Sequence, residues 1–227
     1  MGTRSFSLTT DHRLLLMPDP TAARQLMVDS QLRARGISDS RVLEAILRVP
    51  RHRFVPEPYR SQAYEDHPLP IADGQTISQP YIVALMLESL QLAGTEKVLE
   101  VGTGSGYVTA LLAELAREVL SVERHPALAE GARKVLAELG YNNTRVFTGD
   151  GALGVPASAP FDAILVSAAA PDLPSALLAQ LGDSGRMIVP VGSFDAQQLQ
   201  FIRVVNGERV VSFREHVRFV PLILSHE

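Results

Sequence analysis

One segment constrains this chain more than any other. Lys97-Val-Leu-Glu-Val101 is followed at once by Gly102-Thr-Gly-Ser-Gly106 and then by a helical pattern over residues 107–116. The short apolar run predicts a strand, the glycines permit positive φ and close backbone approach, and the helix behind them aims its free amides past the strand end. Such a unit needs a parallel sheet, because a parallel neighbour is reached only through a crossover. The pattern continues accordingly. Residues 118–123 (EVLSVE), 144–148 (TRVFT), 161–167 (FDAILVS) and 186–191 predict further strands, with helices over 126–139 and 173–181. Near-continuous apolar runs suit strands buried on both faces. The expected fold class is α/β: a doubly wound, mostly parallel, Rossmann-like sheet.

Ahead of the sheet the periodicity is helical. Residues 21–37 carry Leu26, Val28 and Leu32 amid polar residues and stop at Gly36. A second helix is expected over 39–49, capped by Ser38 or Asp39 and ended by Pro50, and a third over 80–92 with Pro80 in its first turn. Residues 51–73 predict loops and short turns, and the tail from 198 to 224 predicts two or three strands. The expected organisation is a poorly ordered extension (1–19), a helical N-terminal region (20–93), and an α/β core with a β-rich C-terminal segment (94–227), the last two forming one integrated domain.

Composition closes several routes. The 227 residues include no cysteine, which excludes disulfides, a zinc ribbon, a thiol nucleophile and an iron–sulfur cluster. The six histidines stand singly, among them His52, His67 and His125, and no metal site is expected. Lys and Arg total 21 against 25 acids, a net charge of −4, which argues against holding nucleic acid by overall charge. Arg24, Arg33, Arg35, Arg41, Arg48, Arg51, Arg53 and Arg60 face only four acids over the same stretch. They predict solvated helix faces and structural ion pairs; a basic face for RNA or an acidic peptide is the alternative. The apolar run Leu14–Met17 is too short for a signal or a membrane span, so a soluble, cytoplasmic protein is expected.

The loop also narrows the ligand. Its third glycine comes one residue too early for the dinucleotide fingerprint, and no Lys-Ser/Thr follows to make a phosphate loop. Glu123 ends the second strand twenty-one residues past Gly102, the place for an acid that accepts hydrogen bonds from ribose hydroxyls. A nucleoside without pyrophosphate fits, and S-adenosylmethionine is the obvious candidate. The residues alone also allow a turn that holds nothing and a solvated strand-end carboxylate.

VLEVGTGSGY, the acid closing the second strand, and Gly149-Asp150-Gly151 after the third resemble the class I S-adenosylmethionine-dependent methyltransferases. Gly74-Gln-Thr-Ile-Ser-Gln-Pro80, Phe161-Asp162, Ala168-Ala-Ala-Pro171, Pro190-Val-Gly192, Val217-Arg-Phe-Val-Pro-Leu222 and the first-helix segment RQLMVDSQLRARGI are more specific. Together they resemble the protein-L-isoaspartate (D-aspartate) O-methyltransferase family over residues 23–222. The resemblance implies the class I methyltransferase fold and a protein-repair reaction. A methyl group passes from S-adenosylmethionine to the α-carboxylate of an isoaspartyl residue, leaving S-adenosylhomocysteine. The implied partners are isoaspartate-containing proteins and peptides, with no nucleic acid and no membrane, and the implied enzyme is a monomer.

The resemblance also implies roles. Ser78 is the active-site serine, whose hydroxyl donates to the acceptor carboxylate. Gln75, Thr76 and Ile77 form a lid over the donor together with Ser78. Glu100 faces the donor's methionine part; Gly102, Thr103, Gly104, Ser105 and Gly106 form the donor loop; Glu123 and Arg124 follow at the second strand end. Asp150 and Gly151 contact adenine. Ala169, Ala170 and Pro171, with Val220, Pro221 and Leu222, receive the acceptor.

The chemistry agrees with what the sequence lacks. A carboxylate is already ionised at pH 7 and needs no general base to attack a methyl group, so positioning and water exclusion suffice. The nearest approach to a nucleophile elbow, Gly182-Asp-Ser-Gly-Arg186, lacks its last glycine. Read as residues alone, Ser78 equally suits a cap for the helix at Pro80, Asp150-Gly151 a turn, 168–171 a plain loop and 217–222 a buried strand. Asp73 would repel an acceptor carboxylate if it pointed inward. The same donor site acting on another carboxylate, a peptide natural product or RNA, or a donor-binding protein without turnover, are the alternatives.

Overall fold

The computed structural model describes residues 19–193 and 195–223, so the expected N-terminal extension lies outside the described residues apart from Asp19. Helix α1 (Pro20–Met27) begins with its Asp19 cap accepting from the Thr21 amide and runs on through a π turn at Val28–Leu32 and a 3₁₀ turn at Arg33–Arg35. Gly36 at φ 93° ends it, as a residue without Cβ can. Helix α2 (Ser40–Arg48) is capped by Asp39, whose carboxylate accepts from the Arg41 and Val42 amides. Residues 51–74 are 3₁₀ turns and bends, with the two-residue strand β1 (Leu69–Pro70) pairing antiparallel with β2 (Thr76–Ile77). Helix α3 (Pro80–Leu90) follows.

The sheet contains β3 (Lys97–Val101), β4 (Glu118–Glu123), β5 (Thr144–Thr148), β6 (Phe161–Val166), β7 (Leu181–Ser193), β8 (Ala196–Val205) and β9 (Glu208–Val217), in the order β5-β4-β3-β6-β7-β8-β9. The first five in that order run parallel, and β8 and β9 return antiparallel. Helices α4 (Tyr107–Leu115), α5 (Pro126–Glu138) and the short α6 (Ser175–Leu178) complete the connections.

Alternate residues of each central strand enter opposite cores. Val98, Val119, Ala163 and Ile188 join α2, α3 and α4 in one buried cluster, while Leu99, Leu120, Ile164 and Met187 join Leu177 and Leu178 in the other. The N-terminal helices therefore pack directly on one face of the sheet. The chain winds β3, β4, β5 outward, then returns to place β6 on the other side of β3. That reversal opens a crevice beyond the carboxyl ends of β3 and β6, the usual ligand position in such sheets.

The elements from residue 97 to 166 match expectation within a residue or two. Two others differ. The expected helix at 173–181 shrinks to Ser175–Leu178, behind Pro174. The strand expected at 186–191 is thirteen residues long and takes in Gly182 and Gly185, which lie where its pairing with β6 breaks register. The tail holds two strands, within the two or three expected, the second beginning at residue 208. Among the described residues no helix is long and apolar enough to cross a membrane.

Most of the eight N-terminal arginines are engaged within the chain. Arg35 pairs with Asp66 at 2.6 Å, Arg48 with Glu114 at 2.8 Å and Arg53 with Glu138 at 2.9 Å. Arg51 is wholly buried. Its Nε donates to the Ala63 carbonyl and its Nη2 to the Ser78 carbonyl, both at 2.8 Å, and its guanidinium lies 4.8 Å from the Tyr107 ring centroid.

Candidate active site

The glycine loop forms the floor of the crevice because three of its residues sit at positive φ: Gly102 at 92°, Gly104 at 53° and Gly106 at 88°. The Gly102 amide donates to the Val122 carbonyl at 2.8 Å, which ties the loop to the neighbouring strand. Gly104 faces open space, where an added Cβ would meet only the end of the Ile71 side chain at 3.5 Å. Gly106 has a different task from the one expected of it. It lies outside the crevice lining, and a Cβ there would stand 3.1 Å from that of Ala132, so it lets α4 and α5 pack closely.

Glu123 stands where the sequence puts it, on the crevice wall at the end of β4. One carboxylate oxygen accepts from the Gly104 amide at 2.8 Å and the other from the His125 amide at 2.9 Å. The carboxylate thus braces the loop and still has lone pairs for a ligand. Arg124 lines the crevice beside it.

Glu100 is a correction. Its alternation along β3 turns it away from the crevice, into the core between the sheet and α4, where it is fully buried. Its Oε2 accepts from Thr109 Oγ1 at 2.5 Å and from Ser121 Oγ at 2.6 Å. Ser121 Oγ in turn contacts Thr103 Oγ1 at 2.5 Å. Since Ser121 spends its proton on Glu100, Thr103 is the donor in that pair, and Glu100 acts on the loop through two hydroxyls. Burial pushes its pKa up to about 8; the hydrogen bonds from Ser121 and Thr109 oppose that rise, and nearby Glu123 adds to it.

Gly74, Gln75, Thr76, Ile77 and Ser78 form the opposite wall. The β1–β2 pairing folds this segment into a hairpin, with Asp73 at φ 55° and Gly74 at φ 67° in its tip. Asp73 points along the rim, its carboxylate 3.8 Å from His125 Nδ1. Ser78 does not cap α3. That task falls to Asp66, which accepts from the Tyr81 amide at 3.0 Å and from Gln79 Nε2 at 2.8 Å. The Ser78 side chain makes no hydrogen bond with any described residue, while its carbonyl is held by Arg51.

Asp150 and Gly151 close one end. Gly151 lines the crevice, and a Cβ there would fall 2.5 Å from Val101 Cγ1. Asp150 accepts from the Ala152 amide through one oxygen, while the other is buried without a partner. It lines an adjoining cavity instead of the crevice itself.

The expected acceptor segments meet each other. The Ala169 amide donates to the Val220 carbonyl at 2.8 Å and the Leu222 amide to the Ala169 carbonyl at 2.7 Å. The Ala170 amide and carbonyl are likewise spent on Pro190 and Gly192. Ala169 and Ala170 are buried and line no crevice, so their backbone is closed to a peptide, and Pro171 lies outside it too. Val220, Pro221 and Leu222 do line the crevice. Tyr107 and Ala168, each inside a quoted motif but without a committed role, also line it, and sequence reasoning missed His125 and Ser167, which no motif marks because the fold alone brings them there.

Beside this crevice lies a second cavity of about 420 Å³, between the hairpin, α3 and the end of β9. Ser78 lines both.

A family model described as protein-L-isoaspartate(D-aspartate) O-methyltransferase (PCMT) matches residues 22–227. The protein-L-isoaspartate O-methyltransferase 1 of Syntrophobacter fumaroxidans is 56% identical over 203 residues, 88% of this chain and 94% of its own length. The protein-L-isoaspartate O-methyltransferase of Syntrophus aciditrophicus is 58% identical over 203 residues, 88% of this chain and 93% of its own. Among solved structures, a protein-L-isoaspartate O-methyltransferase superposes with a TM-score of 0.78 at 28% identity over 89% of this chain, which spans 65% of that one. A Plasmodium falciparum chain described as a beta-aspartate methyltransferase (PCMT), in complex with S-adenosyl-L-homocysteine, gives a TM-score of 0.76 at 26% identity, covering 91% of this chain and 99% of its own.

Proposed function

The chain belongs to the protein-L-isoaspartate(D-aspartate) O-methyltransferase family, and from that premise we propose that the crevice beyond β3 and β4 is where it acts. It is a repair methyltransferase. It transfers a methyl group from S-adenosylmethionine to the α-carboxylate that an isoaspartyl residue leaves free.

The observation that carries the assignment of the site is the convergence of the glycine loop, Glu123 and the Gly74–Ser78 hairpin on one crevice. The residues fit the donor. Glu123 offers a carboxylate for ribose hydroxyls, the loop and the start of α4 offer open backbone, and the unpartnered oxygen of Asp150, in the cavity adjoining the crevice beside Gly151, suits an exocyclic amino group that reaches it. When bound, S-adenosylmethionine supplies a methyl group on a sulfonium, so no protein base is needed.

What remains for the protein is orientation. The Ser78 hydroxyl, free of partners among the described residues, donates to one oxygen of the acceptor carboxylate and leaves the other to attack. Arg51 fixes the Ser78 peptide from below. The hairpin and residues 220–222 keep water from the methyl group. Holding reactants in line in this way accounts for much of the acceleration such transfers need. Asp73, held toward His125 at the rim, lines neither cavity and brings no carboxylate of its own against the acceptor.

We further propose a monomer acting in the cytoplasm on isoaspartyl proteins and peptides, not on RNA. The engagement of Arg35, Arg48 and Arg53 with acids of this chain supports the last point.

The test uses labelled S-adenosylmethionine and two peptides that differ only in isoaspartate or aspartate at one position. Base-labile label on the isoaspartyl peptide alone is expected. Label on neither, with the donor still bound, would overturn the repair reading and point to another acceptor.

A further inference from the structure

The crevice and the second cavity share a wall of four residues, Thr76, Ser78, Ser167 and Val220. Ser167 is the one of these that sits at the end of a central strand. Its amide donates to the Val101 carbonyl at 2.8 Å, extending the β3–β6 ladder by one bond. Gly102 packs against it so closely that a Cβ on the glycine would stand 3.3 Å from the serine Cβ. Its backbone is therefore held by the two central strands, while Ser78 rides on the hairpin.

The hydroxyls near the floor of the crevice divide into two kinds. Those of Thr103, Thr109 and Ser121 are consumed in the Glu100 network. Those of Ser78, Ser167, Ser105 and Thr76 make no hydrogen bond with any described residue; Thr76 is exposed and Ser105 lines the crevice alone, so Ser78 and Ser167 are the half-buried pair that faces the two cavities at once. A half-buried hydroxyl without an internal partner, on a rigid strand end between two cavities, is placed to serve something that spans them.

We propose that Ser167 is a second acceptor-positioning residue: its hydroxyl donates to the acceptor carboxylate together with that of Ser78, and the acceptor enters through the second cavity. This rests on reading the main crevice as the donor site. The chemistry explains the choice of side chain. One donor fixes one carboxylate oxygen but leaves the group free to rotate; a second, from another element, fixes its plane. A hydroxyl does so without the full positive charge of Lys or Arg, which would draw density from the attacking oxygen. Ser167 forms no covalent bond and transfers no proton; the acceptor oxygen–carbon bond forms as the sulfur–carbon bond breaks.

Ser167→Ala keeps the Cβ that faces Gly102, so the fold is retained. The experiment measures initial rates on the isoaspartyl peptide and the Kd for S-adenosylhomocysteine by calorimetry. Loss of one hydrogen bond to a charged group predicts a fall of about tenfold in kcat/KM for the peptide. Donor affinity should stay within about twofold, and Ser167→Thr should recover most of the lost rate. An unchanged kcat/KM in an active protein would overturn this proposal alone. A loss of donor affinity that matches the loss of rate would reassign Ser167 to the donor site and overturn it as well. Failure of the wild type to label the peptide would overturn the underlying reading instead.

Discussion

The two walls of the crevice are built by different means. The donor wall comes mostly from one contiguous stretch, residues 101 to 125, closed at one end by Gly151, and backbone conformation does most of the positioning. Gly102 and Gly104 take positive φ, the Gly102 amide is held by Val122, and Glu123 braces Gly104 through its own carboxylate. The acceptor wall is assembled from separate pieces, the 74–78 hairpin, Ser167 and the 220–222 segment. Each piece is held by a residue distant in sequence: Arg51 for Ser78, Val101 for Ser167, Ala169 for Leu222. A wall made of local backbone tolerates change elsewhere in the molecule. A wall made of long-range contacts fails when one remote support is lost.

The largest expected effect tests that asymmetry. Arg51→Ala strips two buried carbonyls of their donor and leaves a cavity under Tyr107. It should lower the unfolding free energy by about 3 kcal/mol in urea titrations. Below its midpoint the variant should lose turnover while S-adenosylhomocysteine still binds. Equal loss of donor affinity would mean that the walls are not separable.

Glu123→Ala is the mirror experiment. It should weaken S-adenosylhomocysteine by about 30-fold in calorimetry, the range for hydrogen bonds to a charged group, and leave the peptide KM near wild type. A peptide KM that moves in step would again join the two walls.

Glu100 gives a smaller effect with a definite sign. Its folded pKa is raised, from 4.5 to about 8, so the native state binds the proton more tightly than the unfolded chain. Stability from this group is whole below the unfolded value and declines as pH rises through the window up to about 8. Glu100→Gln, which cannot ionise, should flatten that decline and be the more stable protein at pH 8, by on the order of 1 kcal/mol. Parallel pH curves for the two proteins would contradict the burial argument.

The smallest effect is Arg53→Ala. Both members of the Arg53–Glu138 pair are more than 40% exposed, and its loss should cost about 0.5 kcal/mol or less with no change in either substrate constant.

The same division decided what was legible. The donor wall announces itself locally. Strands at Lys97–Val101, Glu118–Glu123 and Thr144–Thr148 and the glycine run between the first two are visible to the residue, because apolar runs and glycine turns are short-range signals. Within that wall the sequence misleads over Gly106, which serves helix packing, and over direction: nothing in KVLEV says whether Glu100 faces ligand or core, and the pleat sends it to the core. Beyond it the long-range terms dominate. Ser78 in front of Pro80 has the look of a helix cap, yet Asp66, fifteen residues from Tyr81, does the capping. Ala168-Ala-Ala-Pro171 suggests open space for a substrate, yet a bridge to 220–222 closes it. Gly182 and Gly185 suggest a turn, yet a bulged strand absorbs them. Ser167 and His125 carry no motif at all.

The most direct test of the account follows Ser78→Ala and wild type through the same two assays. Calorimetry gives the Kd for S-adenosylhomocysteine, and initial rates with the isoaspartyl peptide give turnover. If Ser78 belongs to the acceptor wall, the two Kd values agree within about twofold while kcat/KM falls about 10- to 100-fold. If donor affinity and rate fall together, Ser78 serves the donor, and the separation of the two walls is wrong.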